Sequence, residues 1–400
     1  MTGLTRRHGL MAAAAGLVAA PAARADSTRA ALWDNRQGPS LRGAVVAQRR
    51  VYADIDGPEF LGSGPVGAPV TDAALARLAA LGANLVVLSH PGPASETPPY
   101  TADPDVEIHL HRIIRRCARH GLFVVIGFRS GPGRSEFTFH RDQADSWFPA
   151  SRIDESVWRS REAQDAWVAM WQRTARQFRA YPNLAGYLLM VEPNANLVAP
   201  GPGGGDLDIW DAGRLAEVVA GTPADWPALA ARLARAVRNE DTQTPILVSP
   251  DGYANLHFAS LLDMQVVPGQ VLAVHDYAPR AYTHQDADIR LGFDPQLAGF
   301  EQPASGVPWM LGEFGVSRWA PGAAQYLTSR IAAAESAGAA WSVFRWDSGW
   351  RVYENAENRF NPLYGVDPVA DLPDAGSPLI AALSRAWSAN NVRPAPLLRR

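Results

Sequence analysis

The stretch "AGYLLMVEPNAN", Ala185–Asn196, carries a short, mostly apolar run straight into Glu192-Pro193. A run that is apolar throughout, instead of alternating, reads as a strand covered on both faces. Outward from it the same pattern repeats. Upstream stand "RGAVVAQ" (Arg42–Gln48), "ANLVVLS" (Ala83–Ser89) and "LFVVIGF" (Leu122–Phe128). Downstream stand "PILVS" (Pro245–Ser249), "QVLAVH" (Gln270–His275), "VPWMLGE" (Val307–Glu313) and "AAWSVFRW" (Ala339–Trp346). Amphipathic stretches separate them. "TDAALARLAALG" has Thr71 as N-cap and Gly82 as its stop, and a second helix opens at Asp103-Pro104 and closes at His120-Gly121. A long one runs from about Asp154 to Ala180, carrying Trp158, Trp167, Trp171 and Phe178. Later helices are expected over "ADWPALAARLARAVRN" (Ala224–Asn239), Asn255–Leu262, Pro321–Gly338 and Ser377–Ala389.

Eight buried strands alternating with helices predict an α/β fold, a single (β/α)8 TIM barrel. An open doubly wound sheet is the alternative. Its dinucleotide form carries a G-x-G-x-x-G turn after the first strand, and "AQRRVYADIDGPEF" has none. No shift in composition marks a second domain, so one catalytic domain over 26–400 is expected.

The N-terminus stands apart. "TRRHGLMAAAAGLVAAPAARA" has Arg6-Arg7, a modest apolar run and a small-x-small site at Ala23-Arg24-Ala25. That pattern predicts a twin-arginine export signal over residues 1–25 and a periplasmic or extracellular location. The apolar run is too short to span a bilayer. A net charge of −3 gives no reason to expect nucleic acid or an acidic membrane as partner. Cys117 is the only cysteine, which excludes a disulfide framework and a cysteine-rich zinc site. It reads as a small buried apolar residue. His109 and His111 sit two apart on a helix and so do not share a face for a metal. "GPGGG" lacks the Lys-Ser/Thr of a phosphate loop. No metal or cofactor is expected, and the expected state is a monomer.

In such a barrel the chemistry gathers at the C-terminal ends of the strands. Those ends here hold His90, Arg129, Glu192, His275 with Tyr277, Glu313, and Trp346 with Asp347. Two carboxylates at one rim are the equipment of glycoside hydrolysis, one as acid and one ionised. Each raises the proton affinity of the other. The loop Arg129–Gln143 adds Arg134, Glu136 and His140; Arg129 is the stronger substrate candidate, and Arg134 and Glu136 read as a salt-bridged loop.

"VEPNAN", "HDYAPRAYTHQ", "LGEFG" and "FRW" resemble glycoside hydrolase family 5, the cellulase-like barrels. The resemblance implies a retaining enzyme acting on a β-linked glucan or related polysaccharide. It implies Glu192 as acid/base and Glu313 as nucleophile. It places His275 and Tyr277 against the nucleophile and the sugar, and Trp346 as a platform beneath that sugar. Three positions depart from the family's pattern: Val191 stands for the Asn before the acid, Val87 for an Arg, and Arg129 for a His. With Val191 unable to bond the sugar 2-hydroxyl, Asn194 and Arg129 are the polar candidates to replace that contact. A mannan, xyloglucan or β-1,3/1,6-glucan is the alternative substrate, and a non-catalytic carbohydrate-binding barrel is the alternative of another class.

Overall fold

The computed structural model describes residues 29–396, apart from 37, 58–59, 61–64, 202, 297–298, 304–305 and 351–354. The expected export signal lies outside the described residues. Eight parallel strands close into a barrel: β1 Arg42–Ala47, β2 Leu85–Pro91, β3 Phe123–Ser130, β4 Leu184–Leu188, β5 Ile246–Val248, β6 Gln270–His275, β7 Trp309–Phe314 and β8 Ala340–Val343. Each pairs with its sequence neighbours, and β8 closes on β1 through Arg42 opposite Trp341.

The main helices are α1 Asp72–Ala80, α2 Pro104–Arg119, α3 Arg161–Phe178, α4 Ala212–Val219, α5 Trp226–Glu240, α6 Ala323–Ser336 and α7 Pro378–Trp387. Their starts are set by side-chain caps. Thr71 accepts from Ala74 N, Asp103 from Val106 N, and Ser160 from Ala163 N. Gly82, at φ +102°, supplies the left-handed turn that ends the first of them. The expected helix at 154–180 begins only at Arg161; two single 3-10 turns precede it, Ala150–Arg152 and Ser156–Trp158. Asn255–Leu262 is likewise a 3-10 segment, Leu256–Leu261. Helix α4 and a two-residue hairpin, Arg49–Arg50 with Val66–Gly67, are not legible in the sequence, being too short to show a period.

Alternation along the strands makes two cores. Val45, Leu85, Val87, Phe123, Val125, Leu188, Val191, Leu247 and Met310 fill the barrel. Trp33 joins them from below, its indole donating to Ala185 O at 3.0 Å. Val46, Val86, Leu88, Val124, Ile126 and Leu311 face outward onto the helices, together with Trp158, Trp167, Trp171 and Cys117. Burial there makes the tryptophans of α3 packing residues. The inner core stops at Val87 and Val191, which sets the floor on which the mouth is built.

Candidate active site

Glu313 reaches the mouth through a break in strand register. Along β7, Val274 of β6 pairs with Leu311, but His275 pairs with Glu313. On the other side Trp341 pairs with Leu311 and Val343 with Phe314. β7 therefore holds one extra residue, and such a bulge re-aims the side chain beside it. Without it Glu313 would share the outward parity of Leu311. Gly312 lets the His275 ring pack closely over the bulge: a Cβ there would lie 3.2 Å from that ring.

Glu192 is held differently. It has a left-handed backbone, φ +50°, uncommon for a residue with a Cβ. Arg134, fully buried, fixes it. Its guanidinium donates to Arg129 O and Val191 O at 2.8 Å each and to Glu192 O at 2.6 Å. Burial pulls the Arg134 pKa down to about 10, which leaves it charged at neutral pH. One cation thus ties the end of β3 to the Glu192 turn. Arg134→Met should cost roughly 3 kcal/mol or more of stability in urea unfolding, because each buried carbonyl left without a donor costs about 1–3 kcal/mol. A loss below about 1 kcal/mol would contradict the clamp.

The two carboxylates meet at His275. His275 Nδ1 lies 2.9 Å from Glu192 Oε1 and 3.5 Å from Glu313 Oε2. The Tyr277 hydroxyl donates to Glu313 Oε2 at 2.9 Å. One oxygen of each carboxylate and the His275 nitrogen all lie within 4.8 Å of one another. The side chains are 19% (Glu192), 8% (Glu313) and 3% (His275) exposed, so Glu192 is the more open to the mouth. Burial pushes the Glu313 carboxyl up to about 7; Glu192 adds to this, while His275, Tyr277 and Arg129 pull it down. Burial alone would lower the His275 pKa, but Glu313 and Glu192 outweigh it and the net shift is upward. Burial and the two carboxylates hold the Tyr277 phenol well above its usual range, so it stays a donor. The same three groups, Glu192, His275 and Glu313, could also bracket a metal ion, but acid–base hydrolysis uses these atoms without one.

Arg129 also reaches this mouth. It follows the inward parity of Phe123 and Val125, pairs with buried Glu136 at 2.6 Å, and lies against the Phe139 ring. Arg134 and Glu136 are framework groups that hold the loop after β3 to the barrel.

Three expected site residues are elsewhere. His90 has the outward parity of Val86 and Leu88; it is buried against α2, with Nε2 3.0 Å from His109 Nδ1. Asn194 is buried and spent within the loop: it accepts from Trp158 Nε1 at 3.2 Å and donates to Thr138 Oγ1 at 3.1 Å. It cannot replace the contact that Val191 forgoes. Trp346 is 0% exposed, donates to Ala74 O at 2.9 Å and packs on Trp387. β8 ends at Val343, so alternation no longer governs residue 346. The aromatic that does face the mouth is Phe344, half-buried and edge-on to Tyr277. The inward parity of Ala340 could have indicated it.

A closed (β/α)8 barrel with paired glutamates at the ends of β4 and β7 defines the class of barrel that the glycosidases share. The chain belongs to glycoside hydrolase family 5: the model of that family, "Cellulase (glycosyl hydrolase family 5)", matches residues 56–349. A β-xylosidase of Phanerodontia chrysosporium is 28% identical over 125 residues, a stretch making up 31% of this chain and 25% of that protein. The chain thus spans about a quarter of that relative's length. A glycoside hydrolase crystal structure superposes with a TM-score of 0.59 at 17% identity, covering 87% of this chain and 99% of the other. The cellobiose complex of a mutant form of Thermotoga maritima Cel5A gives 0.56 at 15% identity, covering 88% and 98%. At such identities the structural likeness is one of fold.

Proposed function

We propose that the protein is an exported, retaining β-glycosidase acting on a β-linked glucan or related saccharide. The carrying observation is that Glu192 and Glu313 share one imidazole, with the three ligand atoms within 4.8 Å. Retaining pairs stand about 5–5.5 Å apart and inverting pairs about 6.5–9.5 Å, measured between the carboxyl groups; facing oxygens bridged by one imidazole are compatible with the closer, retaining spacing. Glu313, held by Tyr277, attacks the anomeric carbon. Glu192, the more exposed, protonates the leaving oxygen and then deprotonates the water. Burial pushes the Glu313 carboxyl up to about 7, and His275 and Tyr277 act against this in favour of the ionised form that a nucleophile needs. A non-catalytic sugar-binding barrel has no use for that arrangement.

The glycone is the open choice within this reading. Val87 and Val191 present methyl groups where the family resemblance expects polar contacts. This favours a sugar held by fewer bonds at its 2-hydroxyl, and xylose and mannose belong beside glucose in the test. A panel of β-glucans, mannan, xylan and xyloglucan, with matching nitrophenyl glycosides, should yield reducing ends from at least one. No turnover on any would contradict the enzymatic reading. Export is tested separately: replacing Arg6 and Arg7 with lysine should retain the protein in the cytoplasm, and unchanged export would remove the twin-arginine assignment.

The pH profile depends on Tyr277. Its hydrogen bond favours the ionised Glu313, so Tyr277→Phe raises the Glu313 pKa. The acid limb of kcat/KM, which reports ionisation of the nucleophile, should move to higher pH. A limb that stays in place or moves to lower pH would show that Glu313 does not set it.

A further inference from the structure

A leaving sugar departs past the acid, so the retained sugar, with anything joined to its non-reducing end, lies across the mouth; this placement rests on Glu192 in that role. Glu192, His275 and Glu313 stand at the ends of β4, β6 and β7. The other half of the rim is the unbroken arc β8–β1–β2–β3.

That half is walled. The loop after β1 doubles back as the hairpin Arg49–Arg50 with Val66–Gly67. A Cβ on Gly67 would lie 2.4 Å from the Phe60 ring, so glycine lets that ring lie against the hairpin. Arg49 covers the same ring at 4.2 Å, reaches over Trp147 of the loop after β3 at 5.2 Å and pairs with Asp56. The Tyr52 hydroxyl donates to Glu96 of the loop after β2 at 2.6 Å, and its ring packs on Phe137 of the loop after β3. Arg152 of that loop pairs with Asp54. At the other edge Thr71 N donates to Ser348 O, just past β8, at 2.7 Å. The loop after β1 is thus braced to the loops after β2, β3 and β8.

Behind Arg129 this wall leaves almost no room. The Arg129 charge acts on Glu313, and the same side chain lines a cavity with Ala47, Gln48, Phe60, Arg345 and Glu357. The cavity holds about 10 Å³, the space of a single water and not of a sugar ring. Each of these side chains is at most 8% exposed. Arg129 Nε is buried without a hydrogen-bond partner among the described residues, a donor left for the hydroxyl of a chain end.

We propose that the protein is exo-acting: the braced loops after β1, β2, β3 and β8 close the mouth beyond one sugar, so single monosaccharides are cut from the non-reducing end of short β-linked oligosaccharides. The competing explanation is that the wall stands aside from the sugar's path and leaves an open cleft, which would cut internally.

The test follows a reducing-end-labelled β-1,4-linked tetrasaccharide of the best glycone through early hydrolysis. Free monosaccharide and labelled trisaccharide should come first. A disaccharide among the first products would overturn the proposal. A bulky ether on the terminal 4-hydroxyl of the matching nitrophenyl glycoside should lower kcat/KM by about 100-fold or more, the scale of a steric clash in a closed site. Equal turnover of the capped and free glycosides would contradict the wall. Binding gives a reading without turnover. Isofagomine, a cationic sugar mimic lacking the 2-hydroxyl, is titrated by calorimetry beside its derivative bearing a β-linked glucose in place of the 4-hydroxyl proton. The extended compound should bind at least about fiftyfold more weakly. Equal or tighter binding of it, or no binding of either, contradicts the proposal. The expected binding pattern with no turnover of any substrate would leave the wall standing and sink the glycosidase reading alone.

Discussion

Glu313→Gln is expected to lower kcat by roughly 10⁴-fold or more, the scale on which loss of a catalytic nucleophile acts. An amide cannot form the glycosyl ester, yet it can still accept the Tyr277 hydrogen bond, so the site keeps its shape. The variant should also fold at least as well above neutral pH. The Glu313 carboxyl titrates near 7 in the fold, against a reference value of 4.5. Its contribution to stability is therefore full below about 4.5 and is lost as pH rises through about 7. Glutamine carries no charge and escapes that loss. Melting of both proteins at pH 5 and pH 8 checks this: the wild type should lose more between the two. An inactive variant that was also strongly destabilised at pH 8 would mean that Glu313 is structural.

Glu192→Gln should separate substrates by their leaving groups. With a sugar as leaving group, the general acid is worth about 10²–10⁴-fold, and that factor should vanish from kcat/KM. With a nitrophenolate, which departs without a proton, kcat/KM should fall far less. Similar losses on both classes would argue that Glu192 does something other than donate a proton. Its 19% exposure, against 8% for Glu313, fits the role proposed for it, since an acid would have to meet leaving group and water in turn.

The barrel was legible because each strand is apolar throughout and each helix is capped by a residue that can be named, such as Thr71 or Asp103. The two glutamates stood out because each closes an apolar run of the sequence, Glu192 after "YLLMV" and Glu313 after "PWMLG". His275 and Tyr277, two apart, fall on the same side of the chain and both reach Glu313. What failed was the step from strand end to mouth. His90 ends a strand on its outward parity, and Val86 and Leu88 were sufficient to say so. Trp346 lies three residues past the end of β8, where the two-residue period has lapsed, and its place at the mouth falls to Phe344. Asn194 looked available because an amide beside the acid suits a sugar. Nothing in the sequence says that Trp158 and Thr138, from the long loop after β3, consume it. The bulge at Gly312–Glu313 was invisible as well: an extra residue in one strand shows only against its partners' registers. Val191 is now intelligible. It belongs to the inner core, its methyl 3.1 Å from where a Cβ of Gly127 would lie, and it closes the barrel under the site.

If Glu192 and Glu313 act as one close pair in a double displacement, the first product keeps the configuration of the bond that was cut. The most direct test is the anomeric configuration of that product, monitored by proton NMR during hydrolysis of the best β-linked substrate. The β-anomer should appear first and the α-anomer only later, by mutarotation. An α-anomer formed first would mean inversion, with water attacking directly in place of Glu313, and would contradict the double displacement.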